Sequence, residues 1–121
     1  MSLTDLQLST TERSGGRVVV AAAGALDLHT AGGLYTRAER LLAGHPLVVV
    51  DLSGIEFCDS TGYNALLRLR RRALEADARF VLAAAPPVVG RLLALTGADM
   101  VFEVHETLAA ALAAHPAGGE G

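Results

Sequence analysis

The residues best placed to do chemistry are an aspartate and a serine that stand side by side at a predicted element boundary. They lie in the run Asp59-Ser60-Thr61-Gly62. Asp, Ser and Thr cap helices by accepting hydrogen bonds from the free N–H groups of the first turn. The run therefore places a small hydroxyl at the N-terminus of a helix, where the helix dipole favours negative charge and could accommodate a phosphate group.

The segments on either side of this run predict a strand and a helix. Upstream, Val48-Val49-Val50 is a β-branched apolar run that is typical of a strand buried on both faces, and Ser53-Gly54 predicts a break after it. Downstream, apolar residues recur at helical spacing on one side, with polar residues on the other. The apolar set is Leu66, Leu69 and Ala73.

The rest of the chain alternates between strand and helix patterns. Strands are predicted over 6–11, 17–24, 79–85 and 101–105, and helices over 31–43, 60–77, 88–95 and 108–114. Thr30 and Thr107 are the predicted N-caps of the first and last helices. Ser14-Gly15-Gly16 predicts a hairpin turn between the first two strands.

The order β-β-α-β-α-β-α-β-α predicts one α/β domain with a mixed, mostly parallel sheet and an N-terminal hairpin. The domain takes in residues 1–121, with an ordered core over about 6–114 and a flexible tail over 115–121.

Composition excludes several classes of function. The net charge of −3 gives no positive surface potential that would attract nucleic acid. The aromatic content of 4 % provides few side chains on which nucleic-acid bases could stack. No apolar run is long enough to span a membrane, and the first residues lack the blocks of a signal peptide, so a cytoplasmic protein is expected. Cys58 is the single cysteine, which excludes an internal disulfide, and it is expected to be a small buried hydrophobe.

The sequence also argues against an enzyme or a cofactor site. There is no Gly-rich phosphate-binding motif and no Gly-x-Ser-x-Gly elbow, and only His29 could reach Ser60 as a base. His45, His105 and His115 are scattered without metal-ligand spacing, so no metal is predicted. Arginines 68, 70, 71 and 72 form a basic patch on the central helix, which is interpreted as a solvated face.

Two landmarks resemble the STAS domains of bacterial anti-sigma factor antagonists (anti-anti-sigma factors). The first is Asp51-Leu52-Ser53-Gly54-Ile55 continued by Phe57 to Gly62, and the second is the upstream loop Gly24-Ala25-Leu26-Asp27-Leu28-His29-Thr30. The element order agrees with that family from about Leu6 to Ala114.

The resemblance implies a regulatory switch. It makes Ser60 the phosphorylation site for a partner anti-sigma factor that is also a serine protein kinase. The unphosphorylated form would bind that partner, phosphorylation would release it, and a phosphatase would restore binding. The partner-binding residues implied are Asp27, His29, Asp59, Ser60, Thr61, Gly62 and Tyr63.

Two positions depart from the family pattern. Tyr63 stands where the family usually has Leu, and Ala25 replaces an acidic residue that could contact a partner. Two other hypotheses stay open beside the antagonist. One is a STAS scaffold subunit of a transporter or signalling complex that is never phosphorylated. The other is a small-molecule sensor or hydrolase at the Ser60 rim, which no feature of the composition favours.

Overall fold

Five strands and four α-helices make up the fold, and the computed structural model describes residues 5–117 apart from the Asp99 side chain. The elements are β1 (Leu6–Arg13), β2 (Arg17–Leu26), α1 (Ala31–Gly44), β3 (Leu47–Cys58), α2 (Ser60–Glu75), β4 (Arg79–Ala83), α3 (Pro87–Thr96), β5 (Glu103–His105) and α4 (Leu108–Ala114). One-turn 3₁₀ segments cover Ser14–Gly16 and Ala98–Met100.

The strands form one sheet in the order β1-β2-β3-β4-β5. The first pair is antiparallel and the other three pairs are parallel. A parallel neighbour needs a crossover connection, and α1, α2 and α3 supply these crossovers. The predicted mixed sheet with an N-terminal hairpin is therefore confirmed.

Each central strand is buried on both faces because helices cover both sides of the sheet. Alternate strand residues such as Val18, Val48 and Leu82 join the core formed with α1, α2 and α3. The intervening residues, such as Val49 and Val81, pack in a smaller cluster with α4. This explains why the central strands read as continuous apolar runs with no polar alternation.

The predicted break in the central strand is wrong, because β3 continues through Ser53-Gly54 to Cys58. Irregularities in the pairing with β2 occur between Ala21 and Ala23 and between Gly24 and Ala25. At the first of them a Cβ added to Gly54 would lie 2.7 Å from the Ala23 Cβ. Glycine thus lets the two strands approach closely and remain paired where the sequence suggested an interruption.

The other predicted boundaries also shift. β2 extends to Leu26, two residues beyond its predicted end, and β5 begins only at Glu103 because 101–102 lie in a turn. Thr107 caps α4 as predicted, its Oγ1 accepting from the Ala110 N–H at 3.0 Å. Thr30 is the N-cap residue of α1 as predicted, but its side chain makes no capping hydrogen bond, because its hydroxyl donates to the Ala25 carbonyl at 2.7 Å.

The C-terminal boundary differs as well. His115, the first residue of the predicted tail, is half-buried and its ring contacts Glu103. The predicted flexibility of 118–121 lies outside the described residues. Within residues 5–117, no helix combines the length and the apolar character needed to cross a membrane.

Asp77 offers a test of the turn that ends α2. The Ala78 N–H donates to the Ala73 carbonyl at 2.8 Å and the Asp77 N–H to the Leu74 carbonyl at 3.3 Å, which is a Schellman turn. Its left-handed residue is Asp77, with φ of 58°. Because glycine adopts this conformation without strain, Asp77→Gly should raise the free energy of unfolding by about 0.5–1 kcal/mol in urea titrations.

The matched control for that substitution is Ala76→Gly. Ala76 is one residue earlier with φ of −90°, where glycine relieves no strain and only gains freedom in the unfolded chain. Ala76→Gly should leave the free energy of unfolding unchanged or lower it. Equal effects at both positions would show that the left-handed conformation carries no cost here.

Candidate functional site

The N-terminus of α2 is held by the side chain of Asp59. One carboxylate oxygen, Oδ1, accepts from the Thr61 N–H at 3.0 Å and from the Gly62 N–H at 3.1 Å. The backbone N–H of Asp59 donates to the carbonyl of Leu26 at the end of β2, at 3.3 Å. Asp59 is therefore the helix cap, one of the roles that the sequence left open for it, and it also ties the helix to the neighbouring strand.

Ser60 is the first residue of α2 and is exposed. The sequence left open which residue of Asp59-Ser60-Thr61 caps the helix, and Asp59 occupies the cap. The consequence is chemical, since the two N–H groups that Asp59 engages are not free for a group attached to Ser60. The Ser60 hydroxyl is instead presented to solvent at the rim of the sheet.

Gly62 lets the start of α2 approach β2 closely. It is buried, and a Cβ at this position would lie 2.5 Å from the Leu26 carbonyl oxygen and 2.7 Å from its Cγ. Any other residue would push the start of α2 away from β2. The contact that Gly62 makes within the domain is with Leu26, and its predicted contact with a partner stays a prediction.

Asp27 is likewise internal, with only 7 % of its surface exposed. Its Oδ1 accepts from the His29 N–H at 2.9 Å and lies 3.3 Å from the Thr30 hydroxyl. The carboxylate thus shapes the loop between β2 and α1 from a buried position, and its predicted contact with a partner stays a prediction. His29 itself is exposed, as a partner-binding residue must be.

The remaining predicted site residues have intermediate or full burial. Thr61 is half-buried, and Tyr63 is half-buried and packs against the main core. Ala25 is only 3 % exposed at the end of β2. The interpretation of Ala25 as a lost partner contact stays a prediction.

Two exposed apolar side chains at the same rim were missed by the sequence. Leu28, in the β2–α1 loop, is 70 % exposed, and Phe57, near the end of β3, is 50 % exposed. Phe57 pairs with Ala25 in the sheet, so both residues stand at the carboxyl ends of neighbouring strands. The sequence feature that could have revealed Leu28 is its position in a loop between the polar Asp27 and His29, where folding does not require an apolar residue.

Cys58 behaves as the buried hydrophobe that the sequence predicted. Burial, and then the nearby charge of Asp59, raise the pKa of its thiol to about 11. The thiolate is the reactive form, so at neutral pH this thiol is almost entirely unreactive. It contributes to packing beneath the rim.

The arginines of α2 are mostly engaged within the molecule. The Arg68 guanidinium lies 4.2 Å above the centre of the Tyr35 ring, and the Arg70 Nε donates to the Val101 carbonyl at 3.2 Å. Arg72 pairs with Glu39 at 3.1 Å and with Glu75 at 2.6 Å. These contacts join α2 to its neighbours, so Arg68, Arg70 and Arg72 form more than the solvated face that the sequence suggested.

A second polar cluster forms where the sequence saw only scattered histidines. His105 and His115 both contact the carboxylate of Glu103, at 2.8 Å and 2.5 Å. Partial burial opposes ionisation of Glu103, but the hydrogen bonds with the two rings outweigh it, so the pKa of the carboxyl lies below its usual range. The statement that these histidines lack ligand spacing is corrected, because the fold supplies the proximity that the sequence order hides.

Comparison with known proteins decides the family. The family described as "Mlab, STAS domain" matches residues 9–104, which is most of the chain. The chain belongs to the STAS domain family. This confirms the resemblance on which the site residues rested.

Solved structures that this STAS domain is similar to include an anti-sigma factor antagonist from Mycobacterium paratuberculosis. The identity is 29 % with a TM-score of 0.84, covering 93 % of this chain and 96 % of that one. The phosphorylated form of the Bacillus cell fate determinant SpoIIAA is 16 % identical, with a TM-score of 0.74 and coverage of 91 % and 100 %. An antagonist acts by binding, which agrees with the prediction that the chain is not an enzyme.

A transporter-related protein shares the fold as well. A sulfate transporter family protein from Wolinella succinogenes is 16 % identical, with a TM-score of 0.68 and coverage of 82 % of this chain and 84 % of that one. At this identity the likeness shows the fold alone. The fold is thus common to proteins of different roles, and function must be argued from the site.

Gly62 provides a test of the junction between β2 and α2. Gly62→Ala should lower the free energy of unfolding by about 1–3 kcal/mol, because the added methyl group meets backbone as well as side chain of Leu26. Urea denaturation measures the change.

The matched control is Gly33→Ala in α1. Gly33 is also the third residue of its helix, but nothing lies within 4 Å of an added Cβ. Alanine should therefore stabilise that helix by about 1 kcal/mol through its higher helix propensity. If both substitutions stabilise, the close approach at Gly62 is not a constraint.

Proposed function

We propose that this STAS domain is an anti-sigma factor antagonist that binds an anti-sigma factor with serine protein kinase activity while Ser60 is unphosphorylated. Phosphorylation of Ser60 releases that partner, a phosphatase restores binding, and the cycle regulates sigma-factor-dependent transcription in the cytoplasm. The observation that carries the proposal is an exposed Ser60 at the start of α2, beside a carboxylate that already holds the first helix N–H groups.

The rim around Ser60 has the composition of a protein-binding surface. Leu28 and Phe57 offer exposed apolar area, and His29 and Asp59 lie close to them in the chain. Binding energy in protein interfaces is concentrated in a few apolar or aromatic anchors surrounded by polar groups. The rim therefore supplies both the anchors and, in Ser60, a small group that a partner can cover closely.

A phosphate on Ser60 is poorly compensated by the domain itself. It brings about −1.5 to −2 charges next to Asp59, and the Thr61 and Gly62 N–H groups are already engaged by that carboxylate. The helix dipole offers only about 0.3–1 kcal/mol in return. The phosphate is tolerable in water, where it is solvated, and costly when a partner covers it.

This cost decides the direction of the switch. Covering an unpaired charge in an interface costs several kcal/mol, and each ~1.4 kcal/mol weakens binding tenfold. Phosphorylation can thus abolish a tight complex with no rearrangement of the fold. The sheet and helices serve as a rigid support whose surface charge changes.

A scaffold role is the second candidate, favoured by the fold shared with the sulfate transporter family protein. A scaffold subunit would use the same rim, or another surface, without a phosphorylation step. The two functions differ in one measurable respect, which is the response of partner binding to charge at position 60.

The Ser60 switch is tested by affinity capture from lysate of the source bacterium. Ser60→Ala is expected to retain a kinase-like anti-sigma factor, and Ser60→Asp is expected to lose it, with captured proteins identified by mass spectrometry. Incubation of the wild-type domain with the captured kinase and ATP should modify Ser60, detected by peptide mass spectrometry.

Ser53→Asp is the matched control, because Ser53 is exposed on β3 and the substitution adds the same charge outside the rim. It should bind as the wild type does. Equal capture by the Ala and Asp variants at position 60 would sink the switch and favour the scaffold.

Leu28 tests the apolar anchor separately from phosphorylation. Leu28→Ala should weaken binding of the captured partner at least tenfold, because it removes apolar area from the centre of the proposed interface. Leu95→Ala is the control, since Leu95 is 82 % exposed on α3, away from the rim. Calorimetry with the purified partner gives both affinities, and equal weakening by the two variants argues against the rim.

A further inference from the structure

A second site lies at the edge strand β5 and involves none of the Ser60 rim. Glu103 and His105 are two residues apart on this strand, so their side chains project from the same face of the sheet. His115 follows directly after α4. The Nε2 atoms of the two rings lie 2.8 Å and 2.5 Å from the same Glu103 oxygen, Oε2, and all three ligand atoms lie within 4.8 Å of one another.

The fold holds each of the three groups in place. Glu103 pairs with Val81 and His105 with Ala83, and those β4 residues belong to the cluster that α4 covers through Ala111. Glu103 and His105 therefore contact His115 on the face of the sheet that α4 covers. The cluster is a product of sheet register and of how α4 lies on the sheet.

Two arginines fix the outer parts of the cluster. The Arg17 Nη1 donates to the His115 carbonyl at 3.2 Å, which anchors the end of α4 to the start of β2. The Arg79 Nη1 lies 3.5 Å from the other Glu103 oxygen, Oε1, and leaves Oε2 directed toward the rings. The Arg79 side chain is 67 % exposed, so solvent screens its charge from the cluster.

We propose that Glu103, His105 and His115 bind one Zn²⁺ ion. Two imidazoles and a carboxylate with a fourth position left for water form a donor set that zinc takes in proteins, whereas Ca²⁺ and Mg²⁺ prefer oxygen ligands throughout. Both rings bind as neutral imidazoles, with the proton of each moved from Nε2 to Nδ1, and Glu103 binds as the carboxylate.

The geometry needs only a small adjustment. Ligand atoms at about 2.0–2.2 Å from a tetrahedral zinc lie about 3.4 Å from one another. The observed Nε2–Oε2 separations of 2.8 Å and 2.5 Å are shorter, so insertion of the ion spreads them by about 1 Å or less. The three side chains are between 18 % and 34 % exposed, which gives an ion access from solvent.

The ion would act as a clip between the last helix and the edge of the sheet. α4 has seven residues, and Ala111 is its one fully covered residue. A bound zinc joins the end of this helix to β5 through His115 and so closes the segment between His105 and His115. This goes beyond the proposed function, because it concerns the other covered face of the sheet and not the Ser60 rim.

The test is calorimetric titration of the metal-free domain with ZnCl₂. The wild type should bind one equivalent with a micromolar or tighter dissociation constant, and excess zinc should raise Tm by about 5–10 °C. His105→Gln and His115→Gln should each weaken binding at least tenfold. Titration with Co²⁺ should give the intense visible absorption of a tetrahedral site in the wild type and not in these variants.

His45→Gln is the matched control, because His45 is as buried as His115 and faces a single carboxylate, Glu12, at 3.6 Å. It should bind zinc as the wild type does. Absence of binding at about 100 µM zinc overturns the proposal, as does unchanged affinity in both His105→Gln and His115→Gln. Circular dichroism of each metal-free variant checks the fold, and Glu103→Gln replaces any variant that fails it.

Discussion

The contact between the end of β2 and the start of α2 is the constraint on which the rest of this structure depends. The Leu26 carbonyl accepts from the Asp59 N–H, and Gly62 lies so close to it that no side chain fits between them. Because both partners stand at the carboxyl ends of parallel strands, this contact sets where α2 begins. It therefore sets where Ser60 emerges and how far the β2–α1 loop stands from it.

The polar residues near that junction have different roles. Asp59 satisfies the first N–H groups of the helix, and Asp27 satisfies the backbone of its own loop from a buried position. Both carboxylates are thus committed to structure, and the surface is left to Ser60, His29, Leu28 and Phe57. The Thr61 and Gly62 N–H groups, which lie next to Ser60, are already engaged by Asp59 and are not free for a group attached to Ser60.

The two faces of the sheet are covered and stabilised in different ways. One face is covered by α1, α2 and α3, which connect successive parallel strands. The core on this face is mainly aliphatic. The other is covered by α4, whose short apolar face packs on β3 and β4 and whose end is held by polar contacts with Glu103 and Arg17. Because the apolar face of this seven-residue helix is small, these polar contacts help to hold α4 on the sheet.

The sequence by itself determined the types and order of the elements, because strand and helix periodicity and the helix-start residues Asp59-Ser60-Thr61-Gly62 act over a few neighbouring positions. It therefore placed Ser60 at the start of the helix and identified Cys58 as buried. Only the tertiary structure decided which of the adjacent polar residues is the cap, that Asp27 and Ala25 are buried, and that Leu28 and Phe57 are exposed. It alone brought His115 to Glu103 and His105. Burial and proximity of this kind depend on which strand lies beside which, and on the face that a helix covers, and these are set by the packing of the whole sheet and not by neighbouring residues in the chain.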